Sequence, residues 1–240
     1  MSKFVQETHN QYQRDYFDKV DRSRIALTVS PYVLAHLDRV IQHGELDRQE
    51  EILEVGSGLG KFTLPLASNG YRITANDLSP VLLNELKSAS NGAISTICCD
   101  VAEIAAHSKE HFNRIVGFFV LHHLIDFDRV FTALYSVLNP GGKLAFCEPV
   151  AWNPLYYAQI LLTPSMSFAG ERSITAMQPR IILPAMRRAG FVDAASHRYG
   201  YFPPILKNRS WGNKLERWFD RRSWVPFPHA FQILSAKRPA

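Results

Sequence analysis

The sequence predicts an α/β fold: a mostly parallel sheet of seven strands with helices on both faces. Three observations predict it. From about residue 50 short apolar runs alternate with longer stretches of helical character, which is the pattern of strand–helix–strand units. One run, residues 115–120, is apolar throughout, as a strand covered on both faces requires. A glycine-rich turn from Gly56 to Gly60 closes the first run and opens a helix, where the backbone can bend sharply and a ligand can approach without a Cβ in the way.

Two helices precede the sheet, at residues 8–20 and 31–43, the second with Ser30 as N-cap and Pro31 as its first residue. Residues 51–55 form the first strand. Residues 61–69 follow as a helix with Pro65 near its start. The second strand is 71–75, helix 80–89 comes next, and the third strand is 94–98. The fourth strand, 115–120, leads into helix 127–138. Asn139, Pro140, Gly141 and Gly142 make a turn before the fifth strand, 143–147. Residues 150–170 are rich in aromatics and prolines and read as irregular chain or short helices. Helix 179–189 starts near Pro179, is kinked or shortened by Pro184 and ends at Gly190. Residues 191–199 and 230–237 are the last two strands. The thirty or so residues between them exceed a tight hairpin, so an insertion is expected there.

With 240 residues, 46 % hydrophobic and 20 % charged, the chain fits one domain with a large core, and global disorder is excluded. Mean hydropathy is −0.12, and no apolar run is long enough to span a bilayer. The polar first residues read as lacking a secretory signal. Cys98, Cys99 and Cys147 offer no disulfide framework, and no Cys/His spacing suits a metal. No metal site is expected, and a reducing cytoplasmic compartment fits. The net charge of +5 is uneven: residues 195–240 hold nine Lys/Arg and two Asp/Glu, whereas the other 194 hold eighteen and twenty.

The glycine turn is the main functional signal. Glu54 precedes Gly56, Gly58 and Gly60. A dinucleotide fingerprint would need glycine at position 61, where Lys61 stands, and a phosphate-binding Walker loop fails at Phe62. Acids at strand ends add specificity. Asp77 follows Gly60 by 17 residues and can accept both ribose hydroxyls of a nucleoside. Asp100 follows Asp77 by 23 residues and can accept from an adenine amino group. Glu54, beneath the loop, would welcome a cationic amino group.

These features, with Asn76–Ser79, Cys99–Val101, Phe118–Leu124 and Asn139–Gly142 in this order, resemble those of the class I S-adenosylmethionine-dependent methyltransferases of small molecules, a Rossmann-like fold. The resemblance covers roughly residues 50–150. It implies a cofactor-binding core there, N-terminal helices over residues 1–48 and acceptor-side segments at 150–180 and 202–228. It implies that Gly56, Gly58 and Gly60 surround the methionine moiety of S-adenosyl-L-methionine, with Glu54 in support. Asp77 would bind the ribose and Leu78 flank the adenine. Asp100 and the backbone of Val101 would read the adenine edge, and the Phe118 carbonyl would meet the cofactor's amino group.

Methyl transfer to an alcohol or phenol needs a base, because the acceptor loses a proton. His123, just past the fourth strand, is the preferred base, with His122 expected to point elsewhere; a capping or packing role for His123 stands beside this. Glu148, after the fifth strand, either binds a substrate hydroxyl or caps Asn153 and the following turn. Tyr12, Tyr16 and Phe17 can form a lid over the cofactor or simply pack. Trp152, Asn153, Tyr156, Tyr157 and Met166 belong to the segment that lines the acceptor pocket in such folds, and their aromatic content suggests an apolar acceptor; simple core packing is the other reading.

Residues 205–224 combine Trp211, Leu215 and Trp218 at helical spacing with Lys214, Arg217 and Arg221. They read as an insertion packing its tryptophans on the core, as a basic helix in a membrane interface, or as an RNA-binding surface. The leading expectation is a small-molecule acceptor methylated on oxygen, apolar or lipid-like, with a peripheral membrane contact through 205–224 and nucleic acid disfavoured. An RNA methyltransferase and a non-catalytic binding protein are the alternatives.

Overall fold

The computed structural model describes residues 3–19, 29–154, 157, 172–220 and 228–240. Its centre is one seven-stranded sheet: β1 (Glu51–Val55), β2 (Arg72–Asp77), β3 (Ser95–Cys98), β4 (Phe112–Phe118), β5 (Leu138–Pro149), β6 (Val192–Tyr199) and β7 (Phe231–Lys237). The order across the sheet is β3-β2-β1-β4-β5-β7-β6. The first five strands run parallel, and β7 is antiparallel to both its neighbours. Strand order reverses between β1 and β4, so a crevice opens at their carboxyl ends, where open parallel sheets bind ligands.

Helices cover both faces. On one, α2 (Pro31–Gly44) lays Val33, Leu37 and Val40 against Val116, Ala145 and Cys147. That i, i+4, i+7 spacing forms a single apolar stripe. On the other, α6 (Phe127–Val137) and α7 (Pro179–Arg188) bring Phe131, Leu134, Ile182 and Met186 onto Ile115, Phe146 and Leu234. α3 (Thr63–Ser68), α4 (Pro80–Ala89) and the single-turn α5 (Ile104–His107) complete the layers around β1–β4. Ser30 and Ser79 cap α2 and α4 by accepting from Val33 N and Leu82 N.

Several boundaries differ from the sequence expectation. β4 stops at Phe118 instead of residue 120, because Phe119 has φ +55° and turns the chain. Asn139–Gly142 does not separate helix from strand. It lies inside β5 as an irregularity: Gly141 has φ +76°, and the β4–β5 register shifts between Phe112 and Arg114. The first helix, α1 (Lys3–Lys19), starts earlier than residue 8.

The insertion between β6 and β7 contains α8 (Pro204–Lys207) and α9 (Ser210–Asp220). Gly212 lies within α9, where a Cβ would collide with the Leu206 carbonyl. The inward face of α9 carries Gly212 and Glu216. Glu216 is 1 % exposed, pairs with Lys207 and accepts from the backbone N–H groups of Tyr201 and Phe202. Trp211, Leu215 and Trp218 therefore face outward, 55 %, 37 % and 42 % exposed. The expectation that these tryptophans pack on the core is overturned. The buried ion pair and the close approach at Gly212 fix which side of the helix turns in.

Candidate active site

A cavity of about 370 Å³ lies at the carboxyl ends of β1 to β4 and is roofed by α1. Its floor is the glycine loop. Gly56 has φ +68°, and a Cβ there would collide with Val120; Gly58 has φ +52° and faces open space. Gly60 packs behind the loop against Leu86 and does not line the cavity. Gly58 N donates to one oxygen of Asp77 at 2.8 Å, and Ser79 N donates to the other at 2.9 Å. Asp77 thus ties the loop to the end of β2 and the start of α4 while bordering the cavity.

Beneath the loop Glu54 is 1 % exposed and stands outside the cavity lining. Its Oε2 has no hydrogen-bond partner among the described residues. Burial raises its pKa to about 8 against the pull of the Thr63 hydroxyl, and the Asp77 charge adds to the rise.

The far end of the cavity is Asp100 with Leu78 and Val101. One Asp100 oxygen accepts from Ala102 N at 2.9 Å. The other accepts from Asn10 Nδ2 at 2.7 Å and Gln6 Nε2 at 3.1 Å. A carboxylate has about four acceptor positions, so one remains for a ligand N–H. From the same stretch of α1, between Gln6 and Asn10, His9 Nε2 lies 2.7 Å from the carbonyl of His123. The helix therefore bridges the cavity from the β3 end to the β4 end. It presents Asn10, Gln13 and Arg14, whereas Tyr12 is 45 % exposed. Among the described residues the inner face of this helix is polar.

At the β4 end the left-handed turn at Phe119 brings two consecutive aromatic residues, Phe118 and Phe119, to the cavity; the alternation of a regular strand would have buried one of them in the core. Phe118 stacks on Phe62 with ring centroids 4.1 Å apart. Tyr32 and Phe231 complete this aromatic wall, with Lys61 beside it, its pKa lowered by burial.

Both His122 and His123 line the cavity. Glu148 is fully buried and does not. Its Oε1 accepts from Val120 N at 2.8 Å and Leu121 N at 2.7 Å, and its Oε2 accepts from His122 Nδ1 at 2.7 Å. Neither sequence reading of Glu148 survives. It neither reaches a substrate nor caps Asn153; it clamps the turn after β4 and fixes the His122 ring. The expectation that His122 points away is likewise reversed. A carboxylate on Nδ1 holds the tautomer in which Nε2 can accept a proton.

Residues 53–146 match the family described as a methyltransferase domain. Over that stretch the chain is similar to methyltransferases. Over 115 residues it is 30 % identical to the tRNA 5-carboxymethoxyuridine methyltransferase of Escherichia coli, covering 45 % of this chain and 43 % of that one. Over 96 residues it is 32 % identical to the ubiquinone biosynthesis O-methyltransferase of Xanthomonas euvesicatoria, covering 39 % and 40 %. The chain thus spans less than half the length of these curated relatives. Among solved structures, phosphoethanolamine N-methyltransferase 2 of Haemonchus contortus, in complex with S-adenosyl-L-methionine, superposes with a TM-score of 0.66 at 15 % identity. The match covers 95 % of this chain and 60 % of that one, and the likeness is one of fold.

The cofactor of such a domain is S-adenosylmethionine, and the cavity fits it. A buried carboxylate with one unpartnered oxygen sits under the loop where a cationic amino group would lie, and an open glycine lies above it. Asp77 ends β2, and Asp100 stands two residues past the end of the neighbouring β3. Of the sequence-predicted residues, Gly56, Gly58, Asp77, Leu78, Asp100, Val101, Phe118 and His123 line one cavity, with Glu54 and Gly60 directly behind it. Of the predicted acceptor residues, Trp152 and Asn153 do not join them. Trp152 is 64 % exposed. Asn153 is buried, with Nδ2 donating to the carbonyls of Pro228 and His229, so it ties the chain after β5 to the start of β7. Tyr157 donates to the Ala151 carbonyl at 2.6 Å. Tyr156, Met166 and the side chains of Tyr16 and Phe17 lie outside the described residues. The sequence reading missed His122, Tyr32, Phe62, Lys61, Phe231 and the polar face of α1. For His122 the available signal was Glu148, whose position one strand over is the natural partner of a residue just past β4.

Proposed function

We propose that this protein transfers a methyl group from S-adenosylmethionine to a hydroxyl oxygen of an apolar, lipid-like small molecule. The observation that carries this reading is the Glu148–His122 pair beside the aromatic wall. The bound cofactor supplies a methyl group already activated on a sulfonium. What the protein must add is position, exclusion of water and, for a hydroxyl, a proton acceptor.

Asp100 and Val101 would hold the adenine of the cofactor, Asp77 its ribose, and Gly56 and Gly58 its methionine end, beside Val120. That order puts the reacting end near His122 and Phe119. The rings of Phe62, Phe118, Phe119 and Tyr32 hold an apolar acceptor and keep water out. His122 takes the hydroxyl proton on Nε2, and the charge that forms on the ring is stabilised by Glu148 across the 2.7 Å bond. His123, the base expected from sequence, anchors α1 through its carbonyl.

The test is an acceptor screen by mass shift of one methyl, followed by pH–rate profiles for wild type, Glu148→Gln and His123→Ala. Glu148→Gln is expected to lower the transfer rate by about 100-fold or more while S-adenosylhomocysteine binds as before. His123→Ala should retain most of the rate. The reverse ranking would return the base to His123, and no effect in either variant would leave proximity alone as the catalyst.

A membrane contact supports the lipid-like acceptor. α9 exposes two tryptophans and a leucine on the same surface as Lys214 and Arg217, and Ile205 nearby is 75 % exposed. A helix that buries its glutamate and exposes its tryptophans suits the interface of an anionic bilayer. An RNA acceptor is the second reading, favoured by the basic segment 195–240 and by the tRNA-modifying relative. Affinity for RNA that falls steeply with salt, at the same site as catalysis, would favour it.

A further inference from the structure

A second cavity, of about 430 Å³, lies between α2 and the α8–α9 insertion. It shares Tyr32 and Phe231 with the first, so those two rings form a partition between the cavities. Three cations from three elements border it: Arg39 of α2, Lys207 of α8 and Arg217 of α9. Two acids border it as well. Glu216 is taken up by Lys207 and by two backbone N–H groups, and Asp38 sits on the exposed rim. The balance is one positive charge, and the guanidinium of Arg39 is held over the Tyr199 ring, 5.4 Å from its centre.

The partition carries a polar relay. Tyr199 Oη lies 2.6 Å from His36 Nδ1 and 3.0 Å from Cys147 Sγ, all three residues buried. An imidazole nitrogen accepts better than a thiol sulfur. The hydrogens therefore run from Cys147 to Tyr199 and from Tyr199 to His36. This leaves His36 with its proton on Nε2, an atom with no hydrogen-bond partner among the described residues. His36 borders the second cavity and packs on Tyr32, Phe119 and Phe231. Burial and the charges of Lys207 and Lys61 lower its pKa, so it stays a neutral donor.

Resting on the methyltransferase reading above, we infer that the second cavity is a subsite for an oxyanion at the far end of the acceptor, a carboxylate or phosphate joined to an apolar body. The acceptor would lie across Tyr32 and Phe231, its anion toward Arg39 and Arg217 and its hydroxyl toward His122. Two guanidiniums from different helices beside aromatic surface match that chemistry.

The experiment is calorimetric titration of the full chain, with and without saturating S-adenosylhomocysteine, using benzoate, inorganic phosphate and neutral benzamide as probes. Benzoate or phosphate should bind saturably and more tightly than benzamide. Preference for benzoate assigns a carboxylate, and preference for phosphate a phosphate ester. Arg39→Gln with Arg217→Gln should weaken the anion at least tenfold, as loss of charge-assisted bonds does, with S-adenosylhomocysteine affinity unchanged. Arg217→Gln alone, on an exposed helix face, gives the same direction of effect if the double variant unfolds. Anions binding no better than benzamide, or equally well to the variants, would overturn the subsite. Intact anion binding with no S-adenosylhomocysteine binding would overturn only the methyltransferase reading.

Discussion

Glu54 shows how a single buried side chain can record what the pocket is built to hold. Its carboxyl has a folded-state pKa of about 8 against an ordinary 4.5, because burial favours the neutral form. The folded state therefore holds a proton that the unfolded state has released between those two values. Stability is fully present below about pH 4.5 and falls as pH rises through the window to about 8; the Glu54→Gln variant should lose that slope in denaturant titrations across pH. A cationic amino group arriving on the loop reverses the preference and expels the proton. Binding of S-adenosylhomocysteine near pH 7 should release protons, visible as a binding enthalpy that depends on the buffer's own ionisation heat. Equal dependence in Glu54→Gln would show that the proton comes from elsewhere. At this scale much was legible in the sequence: glycines and strand-end acids are named by type and spacing. The base was not. Choosing between His122 and His123 needs ring directions after a turn whose left-handed residue, Phe119, no pattern announced.

At the scale of elements the roof over the cavity is α1. Its N-terminal half is fastened by Gln6 and Asn10 to Asp100 and by His9 to the carbonyl of His123. Its exposed Tyr12 plays no part in closing the cavity. Gln6→Ala with Asn10→Ala should weaken S-adenosylhomocysteine binding about tenfold, the worth of one charge-assisted bond. It should also make α1 an early target of limited proteolysis, whereas Tyr12→Ala should do neither. Unchanged affinity in the double variant would mean that the helix covers the ligand without helping to hold it. The sequence marked α2 and α4 well, because Ser-Pro pairs name their starts. It misjudged α1 and β5, whose details are set by tertiary contacts. α1 follows its hydrogen bonds to Asp100, and Asn139–Gly142 is drawn into the sheet, with Gly141 N donating to the carbonyls of Arg238 and Pro239.

At the scale of the molecule, the insertion exposes Ile205, Trp211, Leu215 and Trp218 within the basic segment 195–240. If α9 is an interfacial helix, the protein should sediment with phosphatidylglycerol vesicles and not with phosphatidylcholine vesicles. Trp211→Ala with Trp218→Ala should abolish the association without changing cofactor affinity. Retention by the double variant would assign the binding to charge alone. The seven-stranded, mostly parallel sheet and both helical layers follow from the alternation of apolar runs and were legible; the strand order was not read. The outward turn of the tryptophans was not, because it depends on Glu216 finding Lys207 and two backbone donors inside. The central claim is that one cavity orients S-adenosylmethionine with its reacting end toward His122. A crystal structure with S-adenosylhomocysteine bound tests it most directly. The account predicts adenine against Asp100 and Val101, ribose hydroxyls on Asp77 and the sulfur beside Val120, facing His122 and Phe119. A ligand seated with its sulfur toward Asp100, or outside the cavity, would contradict it.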